Sequence, residues 1–193
     1  MTADSFAEGH AYQQQLLALL GADDPAAVQR ATPDALRDLI RDAGGDLRTR
    51  PADAEWSVLE LIGHIADAEL VCAGRYRWIL AHDEPPLLGY DQDLWVEGLG
   101  HGSANPSDLL DLFESLRRAD LALWERTPID QRGRVGHHSE RGPESYELTF
   151  RLIAGHDRFH LDQARRTLEQ VRAGGMDSAT AAANDAPRTA TAE

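Results

Sequence analysis

His156 and His160 stand four residues apart in the run HDRFH. On a helix this spacing projects both imidazoles from one face about one turn, roughly 6 Å, apart, close enough to share a metal ion. Leu152 and Ile153 precede the pair by one turn, and Gln163 and Ala164 follow it by one turn, so the pair faces inward toward other helices. His64 has the same setting, with Leu61 three residues before it and Ala68 and Val71 four and seven after. Three neutral imidazoles from two facing helices suit one divalent ion of Zn, Ni, Fe or Mn, with nitrogens about 2.0 to 2.2 Å away and further positions open. An open position is what catalysis requires. There the ion can lower the pKa of a bound thiol, or ionise water toward a pKa of about 7 and drive hydrolysis of an ester or amide. The competing reading is three hydrogen-bonded core histidines, because an i,i+4 pair arises by chance in many helices.

The elements that would position these groups are mostly helices. Tyr12, Leu16, Leu19 and Leu20 mark one helix face, stopped at Gly21. Thr32-Pro33 reads as the start of a second helix that runs to Gly44-Gly45. Ser57 and Glu60 form a capping box that opens a long helix reaching about Ala81, just before His82-Asp-Glu-Pro85-Pro86. Residues 83–105, rich in glycine and proline, read as a long irregular connection of the kind that is functional or disordered. Asn105-Pro106 opens the next helix, with Leu109, Leu112, Phe113, Leu116, Leu123 and Trp124 as a core stripe ending at Thr127-Pro128. The turn-rich stretch from Gly133 to Pro143 has room for a short hairpin, and a last helix spans about Ser145 to Arg172, closed by Gly174-Gly175. Long helices without convincing strands predict an all-α bundle domain over residues 1–172 with a disordered tail over 173–193.

Composition narrows the function. With 33 acidic against 19 basic residues and a formal charge of −14, the chain is ill suited to nucleic acid, which is bound through clustered basic side chains. No apolar run approaches the roughly 18 to 20 residues of a membrane span, and no basic-then-apolar leader is visible at the N-terminus. The expected partners are therefore small molecules rather than nucleic acid or membrane, and the expected location is the cytoplasm. The single cysteine, Cys72, excludes an internal disulfide framework and reads as a small buried hydrophobe. It lies about 12 Å along its helix from His64, too far to bind the same ion.

Three segments, WSVLELIGHIADAE, a linker containing GYDQDLW, and LIAGHDRFHLDQ, occur in an order that resembles the DinB/YfiT-like superfamily. The similarity covers roughly Tyr12 to Gln170. It implies a four-helix bundle of up-down-down-up topology, with a long connection between the second and third bundle helices. It also implies homodimers in many members and a three-histidine metal site at one end of the bundle, which by residue matching falls on His64, His156 and His160. Members of the family include S-transferases and isomerases that use low-molecular-weight thiols, so the resemblance implies a small-molecule substrate and a cellular thiol as cosubstrate. A metal-dependent hydrolase and a non-catalytic metal or small-ligand binding protein remain the alternatives.

Residues that would complete a pocket are weaker in the sequence. Gln163 lies on the inward face one turn past His160, placed either to orient a bound molecule or to cap a bundle interaction. Tyr90, Asp91 and Trp95 match the family's linker motif and would either fold over the metal or anchor the linker to the core. Asp67, Glu69 and Asp157 flank the ligands, in positions either to hold a ligand imidazole by its second nitrogen or to face solvent or Arg75, Arg77 and Arg158. His137 and His138 would point to opposite sides of an extended chain, and His10, His82 and His101 read as surface residues.

Overall fold

A computed structural model describes residues 3–184, with side chains described for residues 9–175. Among these residues the helices are α1 (Ala3–Leu20), α2 (Pro25–Ala43), α3 (Val58–Ala81), α4 (Gln92–Gly98), α5 (Pro106–Arg126) and α6 (Tyr146–Asn184). The strands are β1 (Pro86–Leu87), β2 (Val135–His138) and β3 (Gly142–Ser145).

Several helix starts follow from local chemistry. At α3 the Ser57 hydroxyl accepts from the Glu60 amide at 3.3 Å while the Glu60 carboxylate accepts from the Ser57 amide at 2.7 Å, so two otherwise orphaned donors are satisfied together. Asn105 caps α5 by accepting from the Ser107 amide, with Pro106 in the first turn. For α2 the sequence reading needs correction, because the helix begins eight residues before Pro33, at Pro25, with Asp24 as its cap. Pro33 lies inside the helix and has no N–H for the Gln29 carbonyl four residues back. The Arg117 guanidinium donates to that carbonyl at 2.9 Å instead, which is how α2 passes through a proline.

Side-chain pairings give the helix directions. Gln29 meets Phe150, Thr32 meets Asp157 and Asp42 meets Arg172, so α2 and α6 run the same way. Tyr76 packs on Tyr146 while His64 meets His160, so α3 runs against α6. Glu69 pairs with Arg117 and Arg77 with Asp120, so α5 runs with α3. Arg30 with Glu125 and Arg37 with Glu114 set α2 against α5. The result is the expected up-down-down-up bundle of α2, α3, α5 and α6, its parallel middle pair requiring the long connection after α3. The helix α1 lies against α6.

That connection is structured rather than irregular. It contributes β1, which pairs in parallel with β2, whereas β2 and β3 form the antiparallel hairpin expected near Gly133 to Pro143. It also supplies α4 and a 3-10 turn at His101–Ser103. At the other end of the chain the stop expected at Gly174-Gly175 does not occur, and α6 continues to Asn184. Residues 185–193 of the expected tail lie outside the described residues. No described helix is long and apolar enough to cross a membrane.

Two apolar clusters fill the bundle. One gathers Leu36, Leu39, Leu59, Ile62, Phe113 and Leu168, the other Tyr76, Ile79, Leu121, Tyr146, Phe150 and Ile153. The second contains a face-to-face pair of Trp124 and Phe150 with centroids 4.0 Å apart.

Candidate metal centre

His64 lies on α3 within the stretch that lines the first cluster, between Leu61 and Ile65, while His156 and His160 lie on α6 between Ile153 of the second cluster and Leu161 of the first. The three imidazoles meet inside the bundle, where α3 and α6 pack on each other. All three are buried, at 2%, 8% and 4% exposure. Their Nε2 atoms converge, with His64 Nε2 lying 3.1 Å from His156 Nε2 and 3.2 Å from His160 Nε2.

This convergence favours a metal site over a hydrogen-bonded core. A neutral imidazole nitrogen carries either one proton or one in-plane lone pair, so His64 Nε2 cannot make good hydrogen bonds to both partners at once. With the other two Nε2 atoms 3.1 and 3.2 Å from that of His64, all three would be able to hold one divalent ion. Electrostatics favours the ligand form too. Burial, reinforced by the neighbouring rings, pushes the His64 imidazole down to about 3 and holds His156 well below its ordinary value. Burial likewise takes His160 down to about 4. All three are thus neutral at pH 7 with lone pairs available.

The outer nitrogens are held unequally. His160 Nδ1 lies 2.9 Å from Gln163 Oε1, and an amide oxygen can only accept, so Nδ1 carries the proton and Nε2 is left to bind. This places Gln163 behind the His160 imidazole. The Nδ1 atoms of His64 and His156 are buried without a partner.

Tyr90 and Trp95 do fold toward the site. Their rings are 4.5 Å apart, and the Tyr90 ring lies 6.5 Å from that of His64. Asp91 caps α4 by accepting from the Leu94 amide at 3.0 Å. Trp56, from the WSVLEL segment, is nearer still, 5.2 Å from the His64 ring. Neither Asp67, Glu69 nor Asp157 supports a ligand. Glu69 and Asp157 are both buried on the Arg117 guanidinium, with Asp157 also accepting from Thr32. Asp67 accepts from His101 at 2.7 Å. His101 is not a surface residue, being 4% exposed, with its ring lying on Gly63, where any Cβ would sit 2.4 Å from His101 Cγ. The sequence did carry a signal for this contact, since glycine inside a helix costs about 1 kcal/mol relative to alanine and Gly63 adjoins His64. His10 and His82 are exposed as expected. His137 is exposed beside Glu84 while its neighbour His138 is buried, on opposite sides of β2.

A cavity of about 160 Å³ opens beside His64 and His156. Its wall includes Tyr12 and Leu16 of α1, Cys72 and Arg75 of α3, Tyr90, and His138 with Arg141 of the hairpin. Sequence reading met Arg75 only as a partner for the acids, although eleven residues make just over three whole turns and put it on the face of His64.

The family model described as the DinB superfamily matches residues 11–164. The chain belongs to the DinB superfamily. Among its curated relatives, a Geobacillus thermodenitrificans protein named "Putative metal-dependent hydrolase" is 30% identical over 71% of this chain and 78% of its own length. The Bacillus subtilis protein "Putative metal-dependent hydrolase YfiT" is 28% identical over 60% of this chain, and the match spans just under two thirds, 65%, of that protein. The solved structure of YfiT from Bacillus subtilis, described as an unusual four-helix bundle topology, superposes with a TM-score of 0.69 at 24% identity, covering 79% of this chain and 87% of that one. Membership of the DinB superfamily thus agrees with the bundle, and the names of these relatives agree with a metal-dependent role for the three-histidine cluster.

Proposed function

We propose that His64, His156 and His160 hold one divalent metal ion and that the protein is a metal-dependent S-transferase, joining a small-molecule thiol to an electrophile in the adjoining cavity. When bound, the ion supplies Lewis acidity, which stabilises a thiolate or an acyl oxygen. The Cys72 thiol of the cavity wall is no ready nucleophile, since burial pushes it up to about 12. The observation that carries the reading is the lack of a carboxylate base. Asp67 and Asp157, the acids beside the ligands in sequence, are turned onto His101 and Arg117. Glu140, the one carboxylate among the wall residues, is solvent-exposed beside Gly89. A thiol, with a pKa near 8.5, needs far less help from a base than water does.

Being neutral, the three imidazoles would leave a bound ion its full charge, and the Tyr90 and Trp56 rings stand against that of His64. In the transfer, the thiol proton passes to solvent buffer, the S–C bond forms, and the leaving group departs with the electron pair of the bond it breaks. The second reading is the hydrolase of the relatives' names, which uses the same ligands with water as nucleophile.

Protein loaded with Zn or Ni is to be assayed with 1-chloro-2,4-dinitrobenzene and a panel of low-molecular-weight thiols, and with p-nitrophenyl acetate alone. Thiol-dependent chloride release that disappears in His156→Ala supports the transferase. Ester cleavage without thiol, lost in the same variant, selects the hydrolase. Native protein that binds no metal even after reconstitution removes both.

A further inference from the structure

Arg75 is 6% exposed, yet none of the described carboxylates pairs with it. Its guanidinium donates to the Leu88 carbonyl at 2.6 Å and lies 3.0 Å from His138 Nε2, and its Nε is buried with no partner. The contrast with Arg117 is informative. That side chain, equally enclosed, is matched by both Glu69 and Asp157. A chain with 33 acids against 19 basic residues does not lack carboxylates to supply, and burying an unpaired charge is costly.

Among the buried groups the local balance is one positive charge in surplus, the Glu140 carboxylate of the same wall being exposed beside Gly89. Arg141 is neutralised by Glu144, whose carboxyl burial would push up but which Arg141 holds below the usual carboxylate range. His138 is neutral, as burial and the two arginines take it down to about 4. Its two nitrogens face donors on both sides, the Arg75 guanidinium and the Glu140 amide at 3.1 Å. A neutral imidazole has only one acceptor nitrogen, so this end of the cavity has more donors than acceptors.

We propose that the Arg75 end of the cavity receives the carboxylate of an elongated substrate whose reacting end lies at the three histidines. One guanidinium in surplus matches a single negative charge rather than a phosphate dianion. Eleven residues separate Arg75 from His64 on α3, about 16 Å of rise, shortened because helical side chains lean toward the N-terminus. The ligand is therefore extended, with an apolar middle lying along Leu16, Ala68 and Ile153. This assignment rests on the reading of the cavity as the substrate site, but not on which nucleophile is used there.

The test is calorimetric binding of hexanoate, its neutral isostere hexanamide, and hexyl phosphate to the full chain after chelator treatment. Hexanoate is expected to bind at least tenfold tighter than hexanamide and tighter than hexyl phosphate. That preference should collapse in Arg75→Gln and weaken in Arg75→Lys. Equal binding of hexanoate and hexanamide by the native protein overturns the proposal without any variant, so a failure of Arg75→Gln to fold does not shield it. A preference lost in His156→Ala but kept in Arg75→Gln would put the carboxylate on the histidines and also overturn it. Tighter binding of hexyl phosphate overturns the choice of carboxylate. Persistence of the preference in a protein that shows no thiol or ester turnover would sink the proposed reactions and leave the carboxylate site standing.

Discussion

Gln163 supports only one of the three imidazoles, and that asymmetry makes it a sensitive position. Loss of a group that holds a ligand's second nitrogen typically costs about 10- to 100-fold in metal affinity. Gln163→Ala is accordingly expected to weaken Zn binding by about tenfold or more in competition with a chromophoric chelator, whereas Gln163→Glu, which keeps an acceptor, should not. Unchanged affinity in the alanine variant would mean the 2.9 Å contact is incidental. Proton linkage gives a second expectation for metal-free protein. His64 and His160 are depressed to about 3 and about 4 when folded, against roughly 6.5 when unfolded. Full stability is present above the unfolded value and is lost as pH falls toward the folded ones, because the unfolded chain takes up protons the folded chain refuses. The thermal midpoint of chelated protein should therefore drop between pH 7 and pH 5, and drop less in a His64→Gln/His160→Gln double variant. An equal drop in both would place the linkage elsewhere. The convergence of His64, His156 and His160 was legible in the sequence because helical periodicity alone puts them on inward faces. The pairing of Asp67 with His101 was not, because a helix face says which way a side chain points and not what it meets across 34 residues of chain.

Elements were legible where their ends are chemically marked. Ser57-Glu60 and Asn105-Pro106 hold as starts because the capping groups are local. Pro33 misled because the donor replacing its missing N–H is Arg117, 84 residues away in the chain and invisible to local reading. Gly174-Gly175 misled in the opposite sense, as two glycines lower helix propensity without forbidding the helix. Residues 83–105 looked irregular because a two-residue strand such as β1 is too short to show alternation and takes its form from β2. Helix packing also yields a sharp expectation. At Gly155 a Cβ would lie 2.1 Å from the Leu16 carbonyl oxygen, so α1 and α6 touch backbone to backbone there. Gly155→Ala should lower stability by about 1 to 3 kcal/mol in urea unfolding, the usual range for overpacking, and weaken ligand binding in the cavity that α1 walls. A neutral result would mean that α1 is free to slide outward at no cost.

Across the whole molecule, α2, α3, α5 and α6 meet at Arg117, which binds Glu69, Asp157 and the Gln29 carbonyl from a position 1% exposed. Removing one partner of a buried pair strands the others. Arg117→Met should cost about 3 to 5 kcal/mol by chemical denaturation, with partial recovery when Glu69→Gln and Asp157→Asn are added. A loss below about 1 kcal/mol would show that the cluster is hydrated rather than dry. The same architecture bears on how the protein is made. His64 and His156 are 92 residues apart, the cavity joins the first helix to the last, and synthesis proceeds from the N-terminus at about 5 to 20 residues per second. While the ribosome is still translating α5, neither the second and third ligands nor the surface that anchors α1 exists. The nascent chain must therefore hold an exposed α1 and a lone histidine until α6 emerges, and metal capture belongs to the last moments of biogenesis.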